Sequence, residues 1–451
     1  MPYIPHTPED RAEMLAAIGL TSMDELFRDI PEAARFRGAL DVPPSMAEGD
    51  LTTHLRSLAA KNQPGLPCLL GAGAYEHFSP ALVDSLLQRA EFYSAYTPYQ
   101  PEASQGSLQV IYEFQSIISL LTGMEVANAS LYEGGTATAE AVLMALNVTG
   151  RSRVLLSKGL HPHYRAVVQT YCKHIEDVSI EEVDLQNGVT PVSLKLDDDV
   201  AAVVVQNPNF LGRVEAGDEL AKTVHAAGAL LLVAVTDLLS LGLLRAPGDY
   251  DADVCFGEGQ GLGLPLSYGG PYVGFISMPS RYVKRMPGRL AGRTVDTQGR
   301  PGFCLTLQAR EQHIRREKAV SNICTNQALC ALATTMYVCA MGRLGVQEVA
   351  KASHAKAHYL AGRLASVPGL SMAFPGGAFF HEWVMQCDRG AGWLVDTLQA
   401  AGFVPPLSLE KFYPELKDCV LFCATETVTK EALDRAVQVL TDAKAVVGAR
   451  S

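Results

Sequence analysis

The 451-residue chain is 48% hydrophobic and 19% charged, enough apolar material for two or three compact units. Its formal net charge of -11 opposes phosphate backbones and anionic lipid faces, so neither nucleic acid nor a membrane surface is an expected partner. The ten cysteines lie in apolar segments such as Val254-Cys255-Phe256, with no CxxC pair and no His/Cys cluster at metal-ligand spacing, so they read as reduced core residues and no metal is expected.

The first residues carry acidic side chains and no apolar core behind a basic stretch, so no secretory leader is visible and a cytoplasmic protein is expected. Thr7, Pro8 and Asp10 place an N-cap oxygen, a preset first-turn φ and a capping carboxylate in order, predicting a helix into Met14 and Ile18. Residues 1–64 read as a helical arm. Beyond it, Ile111, Phe114, Ile118 and Leu121 repeat at helical spacing. Residues 153–156, 201–205 and 229–235 are short apolar runs, the later ones separated by a helical stretch over 215–227. Strands apolar on both faces in β-α-β order call for a mostly parallel sheet covered by helices, an α/β domain over residues 65–330. The apolar stretch 226–244 is interrupted by Thr236, Asp237 and Ser240, which favours a buried strand running into a loop over a membrane span. Predicted helices over 326–344 and 352–365 come next, followed by a strand over 378–385, a helix over 391–400, a strand over 418–424 and a last helix from Thr429. Together these make residues 331–451 a smaller α+β domain.

Four segments carry candidate chemistry. Glu133-Gly134-Gly135-Thr136-Ala137-Thr138 precedes a helix of small residues, whose amides would cradle a phosphate. Equally, it is a glycine turn with Thr136 or Thr138 as the cap, and it has neither a Walker lysine nor G-x-G-x-x-G spacing. His161 and His163 follow the strand at 154–156, at the carboxyl end where α/β folds hold ligands, so an imidazole there could stack on a ring; a loop histidine without a role is the alternative. The stiff aromatic loop around Tyr96 and Tyr99 suits a pocket wall or an interface plug. Residues 281–318 hold ten Lys/Arg against three Asp/Glu and reverse the sign of the chain locally, so they should meet a carboxylate, a phosphate or an acidic protein. An i,i+4 pair such as Glu311 and Arg315 accounts for only the latter half.

Several stretches occur together in the first subunit of two-chain glycine decarboxylases: YTPYQPEASQGSLQ (96–109), LYEGGTATAEA (131–141), QNPNFLG (206–212), GEGQGLGLPLSYGGPYVGF (257–275), MPGRLAGRTVDTQGRPGF (286–303) and REQHIRREKAVSNICT (310–325). The chain resembles that P-protein family of the glycine cleavage system over nearly its whole length. The resemblance implies the fold of type I pyridoxal-phosphate enzymes and a complex with a homologous second subunit, two of each chain, in which the second subunit carries pyridoxal phosphate on a lysine. It further implies that the complex decarboxylates glycine and passes the aminomethyl group to the lipoyl arm of the H-protein.

Aligned on the second subunit, Ala234 falls where an aspartate pairs with the ring nitrogen, and Gly261 falls at the cofactor lysine; no lysine lies between Lys222 and Lys284. The chain alone is therefore expected to be inactive and to complete its partner's site, because active sites of this fold lie between chains. Tyr96 and Tyr99 are the expected wall of the glycine pocket, and Asn322 and Thr325, expected at a helix start, the groups that meet the partner's phosphate. Residues 281–318, with Arg289, Arg293 and Arg300, are expected to receive the acidic H-protein or to order themselves over its lipoyl arm. Two rivals stand beside this reading: a self-sufficient enzyme using Lys222, Lys284 or Lys318, and a scaffold with no part in the chemistry.

Overall fold

A computed structural model describes residues 5–93 and 97–448. The chain divides into two compact units between Pro64 and Gly65. In the first, α1 (Pro8–Ala17) starts at a capping box in which Thr7 and Asp10 satisfy each other's backbone amides, and α2 (Glu48–Ala59) follows two short 3-10 turns. Neither helix buries a residue, and Phe36, Leu40 and Val42 between them are each more than 60% exposed.

The second unit runs α3 (Ala81–Leu87), α4 (Gln105–Thr122), β1 (Val126–Ala127), α5 (Gly134–Thr149), β2 (Arg153–Ser157), α6 (Pro162–Cys172), β3 (Ser179–Val183), β4 (Val200–Gln206), α7 (Gly217–Ala226), β5 (Leu230–Val235), β6 (Val254–Glu258) and β7 (Gly274–Met278). A hairpin, β8 (Leu290–Val295) and β9 (Pro301–Thr306), precedes α8 (Gln312–Arg315), α9 (Ala328–Leu364), β10 (Leu370–Met372), β11 (Glu382–Cys387), α10 (Ala391–Ala400), β12 (Leu407–Ser408), β13 (Cys419–Cys423) and α11 (Lys430–Gly448).

Seven strands form one sheet in the order β1-β7-β6-β5-β4-β2-β3, parallel from β6 to β3 with β7 and β1 antiparallel at one edge. Every residue of β4, β5 and β6 is buried, as strands covered on both faces must be. On one face Val203, Val205, Leu231 and Val233 pack with Phe114 and Ile118 of α4, Leu220 of α7 and Tyr337 of α9; on the other, Val204, Leu232, Ala234 and Phe256 pack with α5 and α6. The apolar stretch after Ala226 is thus β5 running into a buried 3-10 turn at Leu238–Gly242.

A second, antiparallel sheet, β10-β11-β13-β12, is covered by the end of α9 with α10 and α11 around Trp383 and Phe422. The two helices expected over 326–344 and 352–365 are the two halves of α9, which meet at a non-helical Gly342 (φ 60, ψ 179), and the expected boundary at residue 330 falls within the first of them. The strand expected over 378–385 begins only at Glu382, because the preceding backbone pairs instead with residues 213 and 214: Phe379 bridges Arg213, and the Val214 amide donates to the Ala378 carbonyl (3.0 Å). The β8–β9 hairpin went unforeseen within the basic segment. Its turn is held by Asp296, whose carboxylate accepts from the Gln298 and Arg300 amides (2.8 and 2.9 Å), and Leu290, Ala291 and Leu305 are buried.

Gly342 adopts a conformation that costs any other residue about 1–3 kcal/mol, whereas Gly362 is an exposed helical position with open space around its missing Cβ. Opposite effects are expected in denaturant unfolding: Gly342→Ala lowers stability by about 1–3 kcal/mol, and Gly362→Ala raises it by about 0.5–1 kcal/mol. Equal effects would place the bend elsewhere.

Candidate functional site

The carboxyl ends of β2, β4, β5 and β6 face the segment at residues 69–78 and the start of β11, whose side chains pack there and leave a cavity of about 10 Å³ beside Tyr75 and Asp237. Glu133 is the extended N-cap of α5, and its carboxylate accepts from the Gly135 and Thr136 amides (2.5 and 2.8 Å) and from the Thr136 hydroxyl. The Gly134 amide donates to Glu258 (3.1 Å), which also accepts from Gln260 and Val273. The cap is therefore Glu133, not Thr136 or Thr138, and Thr138 instead donates back to the Gly134 carbonyl (2.7 Å). Three amides that would receive a phosphate already hold carboxylates. A Cβ on Gly134 would lie 2.1 Å from the Tyr164 hydroxyl, so only glycine fits at that position. Burial pushes the Glu258 carboxyl up to about 7.

His161 caps α6, its Nδ1 accepting the His163 amide (3.1 Å) and its Nε2 donating to the Ala72 carbonyl (2.9 Å). One imidazole face stacks on Tyr164 (4.7 Å between centroids). The space beside its Cδ2 belongs to Gly73, whose added Cβ would lie 2.7 Å away; φ +99 there suits glycine. The ring thus packs against Tyr164 on one face, Phe210 edge-on and Gly73 at its rim. His163 sits beside it, edge-on to Phe412.

At the end of β5, Ala234 is fully buried, and no carboxylate stands at that position. Three residues on, Asp237 is 3% exposed; it accepts from His381 Nε2 (2.8 Å), faces His77 Nε2 (3.3 Å) and caps the Leu239 amide (3.0 Å). Burial raises a carboxyl's pKa, but the two imidazoles outweigh it and hold Asp237 well below the usual carboxylate range. Burial likewise disfavours a charged His77, yet Asp237 and Glu426 (2.7 Å from Nδ1) raise it to about 10. Gly261 looks onto this cluster: a Cβ there would lie 2.8 Å from Asp237 Oδ1 and 3.2 Å from the His77 ring. Beside it Tyr75 donates to Glu382 (2.8 Å), whose pKa burial raises. Lys222, Lys284 and Lys318 are all exposed, on α7 and in the 3-10 turns of the basic segment. None of them reaches into this packing.

A second region is open. Tyr99 is 44% exposed beneath the Arg289 guanidinium (5.6 Å to the ring centroid) and edge-on to His313. Arg289 is 3% exposed; it donates to Thr325 (3.3 Å) and Asn326 (3.4 Å), its Nε has no partner, and no carboxylate pairs with it among the described residues. Thr325 and Asn326 wall a cavity of about 500 Å³ together with Phe92, Pro98, Ile111 and Leu329. Tyr96 lies outside the described residues. Asn322 and Thr325 precede α9 rather than start it, in a loop that leaves Asn322 exposed and turns Thr325 onto Arg289. The foreseen basic residues separate: Arg289 is buried, Arg300 pairs with Asp296 (2.7 Å), and Arg293 is exposed without an acidic partner among the described residues. The expected Glu311–Arg315 pair does not form; Glu311 faces His313 (3.6 Å), and Arg315 donates to the Ala309 carbonyl.

The family model for the glycine cleavage system P-protein matches residues 1–440. The chain belongs to that family. It is 51% identical over 440 residues to the probable glycine dehydrogenase (decarboxylating) subunit 1 of Moorella thermoacetica, covering 97% of this chain and 98% of that one. The same-named protein of Desulfitobacterium hafniense is 48% identical, with 97% and 98% covered. A crystal structure of glycine decarboxylase (P-protein) in inhibitor-bound form superposes with a TM-score of 0.88 at 43% identity, covering 98% of this chain and all of that one. A Lactobacillus brevis glutamate decarboxylase (TM-score 0.65, 14% identity, 94% and 96% covered) and a Burkholderia pseudomallei sphingosine-1-phosphate lyase (0.63, 15%, 92% and 94%) share the fold alone, that of type I pyridoxal-phosphate enzymes.

Sequence reading passed over His77, Asp237, His381 and Glu133 as site residues. Asp237 interrupts an apolar stretch directly after a buried strand, which was the one local signal available.

Replacing Glu133 by Ala strips the acceptor from two buried amides, a loss of about 1–2 kcal/mol. Added sulfate should raise the melting temperature of Glu133→Ala but not that of wild type; equal response would mean the turn was open already. His161 is pushed by burial down to about 4, whereas an unfolded histidine titrates near ~6.5. Between these values only the unfolded chain takes the proton, so stability rises with pH through the window. The stability advantage of wild type over His161→Gln is expected to grow by up to about 3 kcal/mol from pH 4 to 6.5 in urea titrations. A pH-independent difference would show that the imidazole is not held neutral.

Proposed function

We propose that this chain is the cofactor-less subunit of a glycine decarboxylase that becomes active with a homologous chain carrying pyridoxal phosphate, in a complex with two of each. The observation that carries the reading is the closed cofactor site: carboxylates on the α5 amides, Gly73 against His161, and an ion-paired cluster against Gly261. The residues present do not fit the cofactor, so no step is routed through it on this chain.

What the chain contributes is the open region. A buried guanidinium without a counter-charge is costly unless an anion arrives. The cavity beside Arg289, Tyr99 and Thr325 is the face that meets the partner's site, where a glycine carboxylate or the partner's phosphate supplies that charge. In the complex glycine loses its carboxylate as CO2, and the aminomethyl group passes to the lipoyl disulfide of the H-protein, which is reduced. The exposed cations Arg285, Arg293 and Arg316 suit an acidic carrier domain, and the bare apolar side chains of residues 5–64 suit a chain that works only in association. All ten cysteines are free, which suits the cytoplasm.

Purified alone, the chain should show no visible cofactor absorbance with pyridoxal phosphate and no exchange of bicarbonate with the glycine carboxyl; mixing with the partner should give both. Absorbance and exchange from the isolated chain would overturn the reading. Arg289→Met is expected to leave complex assembly intact and to lower exchange by about 100-fold (about 2.7 kcal/mol). Unchanged exchange in that variant would favour a purely stabilising subunit.

A further inference from the structure

We infer that His77 Nε2, Asp237 Oδ2 and His381 Nε2 form a binding site for a divalent first-row transition metal, most suited to zinc. The three atoms lie within 4.8 Å of one another and come from three separate segments: the approach to α3, the end of β5 and the start of β11. Four tetrahedral ligands about 2.0–2.1 Å from zinc stand about 3.3 Å apart. The His77 Nε2 to Asp237 Oδ2 separation is already 3.3 Å, and the 2.8 Å between His381 and Asp237 needs to open only slightly.

Two further observations favour a cation. His77 Nε2 is buried and makes no hydrogen bond, although it points at a carboxylate, and its side chain is 3% exposed. Its other nitrogen is anchored by Glu426 (2.7 Å), which is in turn held by the Ser353 hydroxyl (3.1 Å). A carboxylate on the far nitrogen of a ligating histidine fixes the ring and raises its basicity, the arrangement found around protein-bound zinc. A divalent ion would also neutralise the two carboxylates, Asp237 and Glu426, that this buried cluster contains. A cavity of about 10 Å³ lined by Tyr75, Thr236, Asp237, His381 and Glu382 has room for about one water as the fourth ligand.

Binding replaces protons now lying between the imidazoles and Asp237, so it releases them and tightens as pH rises. Nothing is oxidised or reduced. The ion would tie the large sheet to the four-stranded sheet, at the place where the Gly261 position lacks a side chain.

The test is cobalt binding by the full chain, alone and with its partner, followed by the visible d–d absorption of tetrahedral cobalt and by metal analysis after growth with zinc. One equivalent is expected, with a rise in melting temperature. Glu426→Gln, which keeps a hydrogen bond to His77, should weaken binding by about 10-fold or more. Asp237→Asn and His381→Asn should each abolish the band, with folding checked by circular dichroism. Absence of a band and of any melting shift up to millimolar metal would overturn the site. So would a band that survives both folded substitutions, since the metal would then sit on other residues.

Discussion

A carboxylate buried at the carboxyl end of a parallel sheet cannot remain there unless opposite charge or hydrogen-bond donors are brought to it. Asp237 is such a group, and what answers it comes from the rest of the second unit: His77 ahead of α3, His381 ahead of β11 and, behind His77, Glu426 after β13. Tyr75, four residues before Ser79, reaches Glu382, and Gln260 holds the Tyr75 backbone through both its oxygen and its nitrogen. The same contacts that satisfy Asp237 thus fix where the small sheet sits on the large one, and they do so in the volume that faces Gly261.

The packing around position 261 depends on the absence of a side chain there. A glycine at position 261 leaves room that Asp237 and His77 occupy, and once they occupy it a Cβ no longer fits. A similar exchange operates at α5. The helix end favours acceptors, and Glu133 with Glu258 provides two carboxyl groups without any ligand. The fold keeps the shape of a cofactor enzyme while its own carboxylates do what bound groups would do elsewhere.

Much of the scaffold was legible because its signals are local. Strands such as β4 and β5 are continuous apolar runs, α4 repeats at 3.6 residues, and Thr7 with Asp10 marks a helix start. Ala234 and Gly261 could be assigned only through family resemblance, since an alanine and a glycine carry no chemical signal of their own. What stayed hidden was non-local. His77 and His381 are distant in sequence and meet only in the fold; the β8–β9 hairpin was masked by its charge and glycines; Arg289 reads as one cation among ten until burial sets it apart from Arg293 and Arg300. Likewise the bend at Gly342 needs a backbone conformation that periodicity does not encode.

The division of labour between two homologous chains is tested most directly by an experimental structure of the complex with its partner and pyridoxal phosphate. The account predicts cofactor density only in the partner's site, with Tyr99, Arg289 and Thr325 of this chain facing it and Glu133 still on the α5 amides. Density for the cofactor between His161 and the Gly134–Thr136 turn of this chain would contradict it.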